Sequence, residues 1–565
     1  MHNIDSETDA VERLLGEREL SIDAYWDSVE ATTDIPIDQW FNIAHEACDR
    51  WAEDPTRLAI TFVEGGGRDE WTYARLRDES RRLATAFTAA GLRRGDRVAG
   101  LLTKQPEAYV AALAAWRAGM VYVPMFVGLG SEALAHRVRS ADPAVVIVNA
   151  DYRANWAAAA ATLGSPPTVW VIDDSGAGLA DGDIDLRAAI RKSDTGFTTV
   201  RTQADDPATI MFTSGTTGAP KGCVMPHSVP LLNRPFVNHC FGLVPDDVLF
   251  AGSDPGWSYG LYTTGFSVLS TGQRIVVRRG KFDPLAWLST IEDEGVTYIA
   301  AAPSALRRLV STAIAGAGIP ASVRGATCGG EPLDAPLVNA WKSLTGGQIR
   351  DGYGQTEAAM LLANLEGGPE IVPGSLSSTV PGFEVALLDE YDGTTPLEGP
   401  AQGVVAVRKP RYQGTLTYWQ QPEKWTARWR GDWFITGDVV RRDEDGRYWF
   451  VGRGDDLIIT SGYNVGPTEV ENVLLADPQV LEAAVVGAPD PDRGAIVRAV
   501  IVADPTADRD PLVSRLKEAV RTQVGRHAYP RVIDFVDELP RTESGKVKRN
   551  VLRDKVVQPD YQEQR

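Results

Sequence analysis

Thr213-Ser-Gly-Thr-Thr-Gly-Ala-Pro-Lys-Gly222 decides the reading of this chain. Three glycines (Gly215, Gly218 and Gly222), four hydroxyl side chains, one proline and Lys221 fall within ten residues. The preceding Ala208-Thr-Ile-Met-Phe212 is an apolar run with the content of a short buried strand. A strand that enters a Gly-rich turn carrying a lysine suits a phosphate chain. Glycine reaches tight dihedrals, successive N–H groups form an anion nest, and lysine adds a mobile positive charge. A P-loop does not fit. That loop needs a wider glycine spacing and a Ser or Thr after the lysine to hold the metal. Here Gly215 and Gly218 stand close together, and Gly222 follows Lys221. Taken alone, the run is also compatible with a plain Gly/Thr surface turn.

Further segments follow in order. They are Gly325-Ala-Thr-Cys-Gly-Gly-Glu-Pro332, Ile349-Arg-Asp-Gly-Tyr-Gly-Gln-Thr-Glu357 and Trp433-Phe-Ile-Thr-Gly-Asp438. Then come Gly452-Arg-Gly-Asp-Asp456, continuing to Glu471, and Leu539-Pro-Arg-Thr-Glu-Ser-Gly-Lys-Val-Lys-Arg549. With the first stretch they resemble the adenylate-forming superfamily: acyl-CoA synthetases, luciferase-like enzymes and peptide-synthetase adenylation domains. The resemblance spans nearly the whole chain and is nearest to AMP-forming acyl-CoA synthetases of the medium-chain or aromatic branch.

The resemblance implies a role for each matching position. Thr213, Ser214, Gly215, Thr216, Thr217 and Gly218, with Lys221, would hold the phosphates. Gly330, Glu331 and Pro332 would lie along adenine, facing a wall of Asp351, Gly352, Tyr353, Gly354, Gln355 and Thr356. In that wall Tyr353 stacks on adenine and Thr356 holds the α-phosphate. Glu357 would hold Mg²⁺ through the phosphates, since a hard cation wants oxygen ligands. Asp438 would accept the ribose hydroxyls, with Arg453 beside it. Asp455 corresponds to a hinge, and Ser461, Gly462 and Tyr463 to the loop that meets the pantetheine arm of coenzyme A. Lys546 corresponds to the catalytic lysine, which brings positive charge to the reacting carboxylate and α-phosphate. Trp257 and Tyr259 would border the acyl group. Acetate-specific relatives carry Trp where this chain has Gly354, so the missing indole is expected to open the pocket to an acid larger than acetate. Some relatives carry a phosphate-contacting Arg where this chain has Asn464.

Composition sets the outer limits. The chain has 565 residues, 43% hydrophobic and 24% charged, with a formal charge of -19. That is an ordinary globular balance with room for more than one domain, and the acidic charge disfavours a general nucleic-acid binder. Cys48, Cys223, Cys240 and Cys328 show neither disulfide nor zinc spacing. The N-terminal residues are polar and acidic rather than signal-like, and no long uncharged apolar run occurs. A cytoplasmic protein without a transmembrane segment is the expectation.

The chain alternates strand and helix. Residues 1–20 read as a loosely attached polar lead, and Trp40–Asp54 as a helix by its apolar spacing. Met120–Met125, Ala144–Val148 and Thr168–Ile172 read as strands, and 173–205 as a loop. Asp283-Pro284 opens a capped helix, as does Pro467-Thr468. Leu481–Gly487, Ala495–Ala503 and Arg531–Val536 read as strands of a small C-terminal unit. The expected fold is α/β: a large N-terminal AMP-binding (adenylation) domain, 1–454, of doubly wound α/β subdomains plus a β-barrel-like subdomain. A small mobile C-terminal α+β domain, 455–565, would carry Lys546.

The expected function is an ATP-dependent acid–thiol ligase using Mg²⁺ and coenzyme A. It would activate a medium-chain, cyclic or aromatic acid as acyl-AMP, release pyrophosphate and pass the acyl group to coenzyme A. Transfer to a carrier protein or partner enzyme stays open, as do a non-catalytic nucleotide-binding sensor or scaffold and a homodimer. No Ser-His-Asp or Cys-His set is needed.

Overall fold

The computed structural model describes residues 7–174, 176, 179–213, 220–331, 333–389, 393–412, 416–454, 456–460, 463–490, 494–541 and 546–557. Two large sheets form its frame. The first has nine strands, running from Ser378–Thr379 through Ala359–Ala363, Gln348–Gln355, Gly325–Gly329, Tyr298–Ala300, Val248–Ala251, Arg274–Arg278 and Leu58–Glu64 to Gly67–Thr72. The second has eight: Thr417–Tyr418, Lys221–Pro226, Pro207–Thr213, Val121–Met125, Arg97–Leu101, Val145–Asn149, Thr168–Ile172 and Ile184–Asp185. Both are parallel at their centres; the first is antiparallel at both ends, and the second only at its Thr417–Tyr418 end, its Ile184–Asp185 edge being parallel.

The central strands are apolar on both faces, as strands covered twice must be. Val121–Met125 and Val145–Asn149 are buried throughout. So is every residue of the helix Pro106–Arg117. One apolar core takes in Ile60 and Ile275 of the first sheet, Val98 and Ile147 of the second, and Leu113 of that helix. The two sheets therefore share their inner layer. The fully buried Arg117 on this helix is neutralised by both carboxylate oxygens of Asp49, each at 2.8 Å.

A third, antiparallel sheet runs Ser375–Leu376, Tyr448–Arg453, Trp433–Arg442, Ala401–Arg408 and Val385–Leu388, with Trp429–Arg430 joined to Trp433–Arg442. It stands where the barrel-like subdomain is expected. Beyond it, a hairpin of Ile458–Thr460 and Tyr463–Val465 precedes a sheet of Val480–Asp490, Gly494–Ala503 and Val532–Phe535. These pack with the helices Pro467–Leu475 and Arg509–Gln523 around a core of their own, including Val470, Val485, Ile501 and Leu516.

Three local expectations need correction. The lead contains the helix Glu7–Arg18, which buries Leu14 and donates from Arg18 to the Glu366 carbonyl. The Trp40–Asp54 stretch is only a short helix, Ile43–Glu46, and a single turn, Asp49–Trp51. There Asn42 caps Ala44 and also donates to the Trp116 and Val200 carbonyls, while Asp49 turns to Arg117. Tertiary partners override the helical spacing. The 173–205 loop carries a further helix, Leu186–Lys192, capped by Asp185 through the Ala188 N–H.

Candidate active site

Strands of all three large sheets meet at one place. The strand Pro207–Thr213 pairs antiparallel with Lys221–Pro226, so Thr213 stands opposite Lys221. The Gly-rich stretch is thus the connection of a hairpin, unlike the strand-to-helix turn of a P-loop. Thr213 Oγ1 donates to Glu357 Oε1 at 3.2 Å, bringing the phosphate stretch to the end of the Ile349–Glu357 segment. Tyr418 Oη donates to the same oxygen at 3.1 Å. The Lys221 ammonium lies 5.1 Å from the centre of the Tyr418 ring.

The surroundings are cationic. The Lys221 pKa is pulled below the ordinary lysine value, first by burial and then by Arg428 and Lys424; Glu357 opposes the shift and Arg453 adds to it. Arg428 is fixed by its donation to the Ile435 carbonyl at 2.7 Å. A pocket with several positive charges around one carboxylate suits a polyphosphate with its metal ion.

On the third sheet, Asp438 and Arg453 face each other across paired strands, with Arg453 Nη1 3.2 Å from Asp438 Oδ1. Asp438 Oδ2 accepts from Tyr353 Oη at 2.7 Å and from Gln355 Nε2, which also donates to the Thr436 carbonyl at 3.0 Å. The adenine-side and ribose-side candidates are therefore tied together. Burial, with Asp438 next, holds the Tyr353 phenol well above its ordinary pKa, so this hydroxyl stays a donor.

Other candidates are placed differently. Gly330 turns with φ +88° and has open space where a side chain would begin. The Glu331 carboxylate accepts from the N–H and hydroxyl of Ser304, at 3.2 and 3.3 Å. Its side chain thus caps the start of the helix Pro303–Thr312. The Asp351 carboxyl takes the Gly352 N–H at 2.9 Å and the Cys328 thiol at 3.5 Å, and burial raises its pKa to about 7. It belongs to the joint between neighbouring strands.

Gly354 sits at a tight point of the first sheet. A Cβ there would stand 2.2 Å from the Ala359 carbonyl oxygen and 2.6 Å from Met360 Cα. The paired strands Gln348–Gln355 and Ala359–Ala363 approach closely at this position.

Trp257 is half-buried with its ring 5.6 Å from that of Phe126, at the entrance to the π-helix Tyr259–Phe266. Tyr259 lies against Gly329, where a Cβ would be 3.3 Å from its ring and 3.6 Å from Met360 Cε. Phe236 similarly crowds Gly352. Lys546 is exposed beside the bridge Arg541↔Val547, and Tyr463 lies in the hairpin strand Tyr463–Val465. Ser214, Gly215, Thr216, Thr217, Gly218, Pro332, Asp455, Ser461 and Gly462 fall outside the described residues.

Sequence reasoning missed Tyr418, Arg428 and Lys424. They come from the segment just before the third sheet's Asp438 strand, and no local spacing marks them. Only the pairing of Thr417–Tyr418 with Lys221–Pro226 brings them in.

The donor set fits Mg²⁺. That ion keeps several waters and is held by one or two carboxylates plus substrate phosphates. Among the described residues no group of three or more His, Cys, Asp or Glu forms a metal cage. Buried Glu357, with nucleotide oxygens and water, supplies what such a site needs.

The cationic surroundings of Glu357 and the nearby Asp438–Arg453 pair suit a nucleotide with its metal ion. The comparisons give the family. The chain belongs to the AMP-binding enzyme family, which matches residues 48–419; the AMP-binding enzyme C-terminal domain matches 469–546. The mitochondrial acyl-coenzyme A synthetase ACSM3 of Mus musculus is 33% identical over 545 residues, covering 94% of this chain and 93% of its own. A crystal structure of an acyl-CoA synthetase from Brucella canis is 34% identical with a TM-score of 0.73, covering 98% of this chain and 99% of its own. The anthranilate CoA ligase AuaEII, solved with anthranoyl-AMP, is 27% identical with a TM-score of 0.85, covering 93% and 98%. The chain is an AMP-forming acyl-CoA synthetase: it activates a carboxylic acid with ATP and Mg²⁺ and transfers the acyl group to coenzyme A. No helix among the described residues is long and apolar enough to cross a membrane.

Proposed function

We propose that the acid is medium-chain, cyclic or aromatic, and that its activation proceeds at the junction of Thr213, Lys221, Glu357, Tyr353 and Asp438. The observation that carries the site assignment is the pair of linked contacts, Thr213 to Glu357 and Tyr353 to Asp438. They support a phosphate end and a ribose end carried by the one segment Ile349–Glu357. The aromatic and apolar neighbours Trp257, Tyr259, Phe236 and Met360 support an acyl group with a ring or several methylenes. The anthranoyl-AMP held by a 27% identical relative supports the same class.

A carboxylate resists attack because oxide is a poor leaving group. One of its oxygens instead attacks the α-phosphorus of ATP, the α–β bridging P–O bond breaks, and pyrophosphate leaves with that electron pair. Lys221 and Thr213 bind the phosphate oxygens, and Glu357 would hold Mg²⁺, which neutralises charge on the phosphates when bound. Asp438 and Arg453 orient the ribose, and Tyr353 the base. Lys546, on a C-terminal domain beginning at Asp455, orients the acid and the α-phosphate for this step.

That domain then turns, withdrawing Lys546 and presenting the segment Ser461, Gly462 and Tyr463 to the pantetheine arm. The thiolate of coenzyme A attacks the acyl carbon, the acyl C–O bond breaks, AMP leaves, and the thiol proton passes to solvent. Four free, buried cysteines suit a reducing compartment, and we place the protein in the cytoplasm.

Competitive conversion tests the acid class. The enzyme receives an equimolar mixture of acetate, hexanoate, octanoate, benzoate and anthranilate with MgATP and coenzyme A, and the acyl-CoA products are weighed by mass spectrometry. The reading expects a ring or medium-chain thioester to dominate. Predominant acetyl-CoA overturns it. Adenylate formed without any thioester shifts the acceptor to a carrier protein or partner enzyme, for which uncharged Asn464 is the one sequence argument.

A further inference from the structure

Tyr418 touches two of the groups that the proposed site needs and belongs to no motif that points to it. Its hydroxyl donates to Glu357 Oε1 at 3.1 Å, and its ring stands 5.1 Å beneath the Lys221 ammonium. Among the described residues both hydrogen bonds to Glu357 fall on Oε1, from Thr213 and Tyr418, which leaves Oε2 available to a cation. The phenol is held in place from three sides. Its backbone pairs with Cys223 on the Lys221–Pro226 strand. The next residue, Trp419, donates its N–H to the Gly222 carbonyl at 2.7 Å. Its ring meets Trp425 edge-on at 5.5 Å, and Trp425 stacks at 4.8 Å on Phe434, of the strand that carries Asp438.

The geometry assigns Tyr418 as a positioning residue: it orients the Glu357 carboxylate for Mg²⁺ and steadies the Lys221 ammonium through its ring face. This rests on the reading of Glu357 as the metal-holding carboxylate. The two functions separate chemically. The hydroxyl acts on Glu357 and therefore on the metal. The ring acts on Lys221 and therefore on the phosphates, with or without metal, because a cation over an aromatic face is attracted by the ring quadrupole.

The test is calorimetric ATP binding to the full chain across a Mg²⁺ titration and in EDTA, with thermal melting in parallel. Tyr418→Phe keeps the ring and removes the donor. It should raise the Mg²⁺ concentration for half-maximal enhancement of ATP affinity about 3- to 10-fold, the range one hydrogen bond supports. ATP binding in EDTA and the melting temperature should stay at the parent values. Tyr418→Leu should in addition weaken ATP binding in EDTA roughly 2- to 5-fold. Glu357→Gln should abolish the Mg²⁺ response, and adding Tyr418→Phe to it should change nothing further.

A parent-like Mg²⁺ response in Tyr418→Phe, while Glu357→Gln loses its response, would overturn the assignment and leave the metal reading intact. A parent-like response in Glu357→Gln would remove the metal reading and this inference with it. Equal weakening of ATP with and without Mg²⁺ in Tyr418→Phe, accompanied by a lower melting temperature, would make Tyr418 a packing residue only.

Discussion

Tyr353 Oη and Asp438 Oδ2 lie 2.7 Å apart, joining the first sheet to the third across the nucleotide site. Gln355 reaches the same carboxylate oxygen, and Arg453 the other. The acid proposed to bind ribose is thus oriented by three side chains, Tyr353, Gln355 and Arg453. Asp438→Asn should weaken AMP binding roughly 10- to 100-fold, the scale of charged hydrogen bonds. Tyr353→Phe, which keeps the ring and loses the tether, should weaken it about 2- to 10-fold. Isothermal calorimetry with AMP checks both, and parent affinity in Asp438→Asn would remove Asp438 from the ribose site.

Gly354 has no room for a side chain, because the Ala359 carbonyl would lie 2.2 Å from its Cβ. Gly354→Ala should therefore lower the melting temperature by several degrees and reduce turnover with every acid together. Parent stability in the variant would contradict the close approach, and a narrowed acid preference would support the reading in which this position borders the acyl pocket.

That residue also marks where sequence reasoning stops. A glycine is legible in the letters; the strand pressed against it is not. What was legible is local. Ala208–Phe212 reads as a buried strand from its apolar content, and it lies within Pro207–Thr213. Asp283 before Pro284 announces the helix Pro284–Asp293, and its carboxylate accepts from the Ala286 N–H at 3.1 Å. Asp438 and Arg453 could be paired from their motifs, and they face each other. The rest depends on contacts between segments distant in the chain. Helical spacing in Trp40–Asp54 loses to the partners of Asn42 and Asp49. Tyr418, about two hundred residues from Lys221, enters the site by strand pairing alone.

Asp351 supplies a pH dependence. Burial lifts its carboxyl from 3.8 to about 7, so the folded chain holds this proton more tightly than the unfolded chain. The folded state binds more protons between those values, so this group's contribution to stability falls as pH rises from about 4 to about 7. Asp351→Asn, which stays neutral, should gain melting temperature relative to the parent across that window. A difference between the two proteins that is flat with pH would contradict the assignment.

Lys546 should separate the half-reactions. Lys546→Ala should lose at least about 100-fold in pyrophosphate release, the scale of losing a charge aimed at the transition state. With chemically prepared acyl-AMP and coenzyme A it should still form thioester at near the parent rate, because the second step proceeds with the lysine withdrawn. Quenched-flow assays of the two steps check this, and equal losses in both would count against exchange of the C-terminal segments.

The central claim is that one site adenylates a carboxylic acid and then serves coenzyme A. Its most direct test is pyrophosphate release from MgATP in the presence of hexanoate, octanoate or benzoate, with and without coenzyme A. The account predicts acid-dependent release limited to about one equivalent of enzyme without coenzyme A and continuous turnover with it, yielding AMP and acyl-CoA in equal amounts. Release that ignores both the acid and coenzyme A, or formation of ADP in place of AMP, would contradict it.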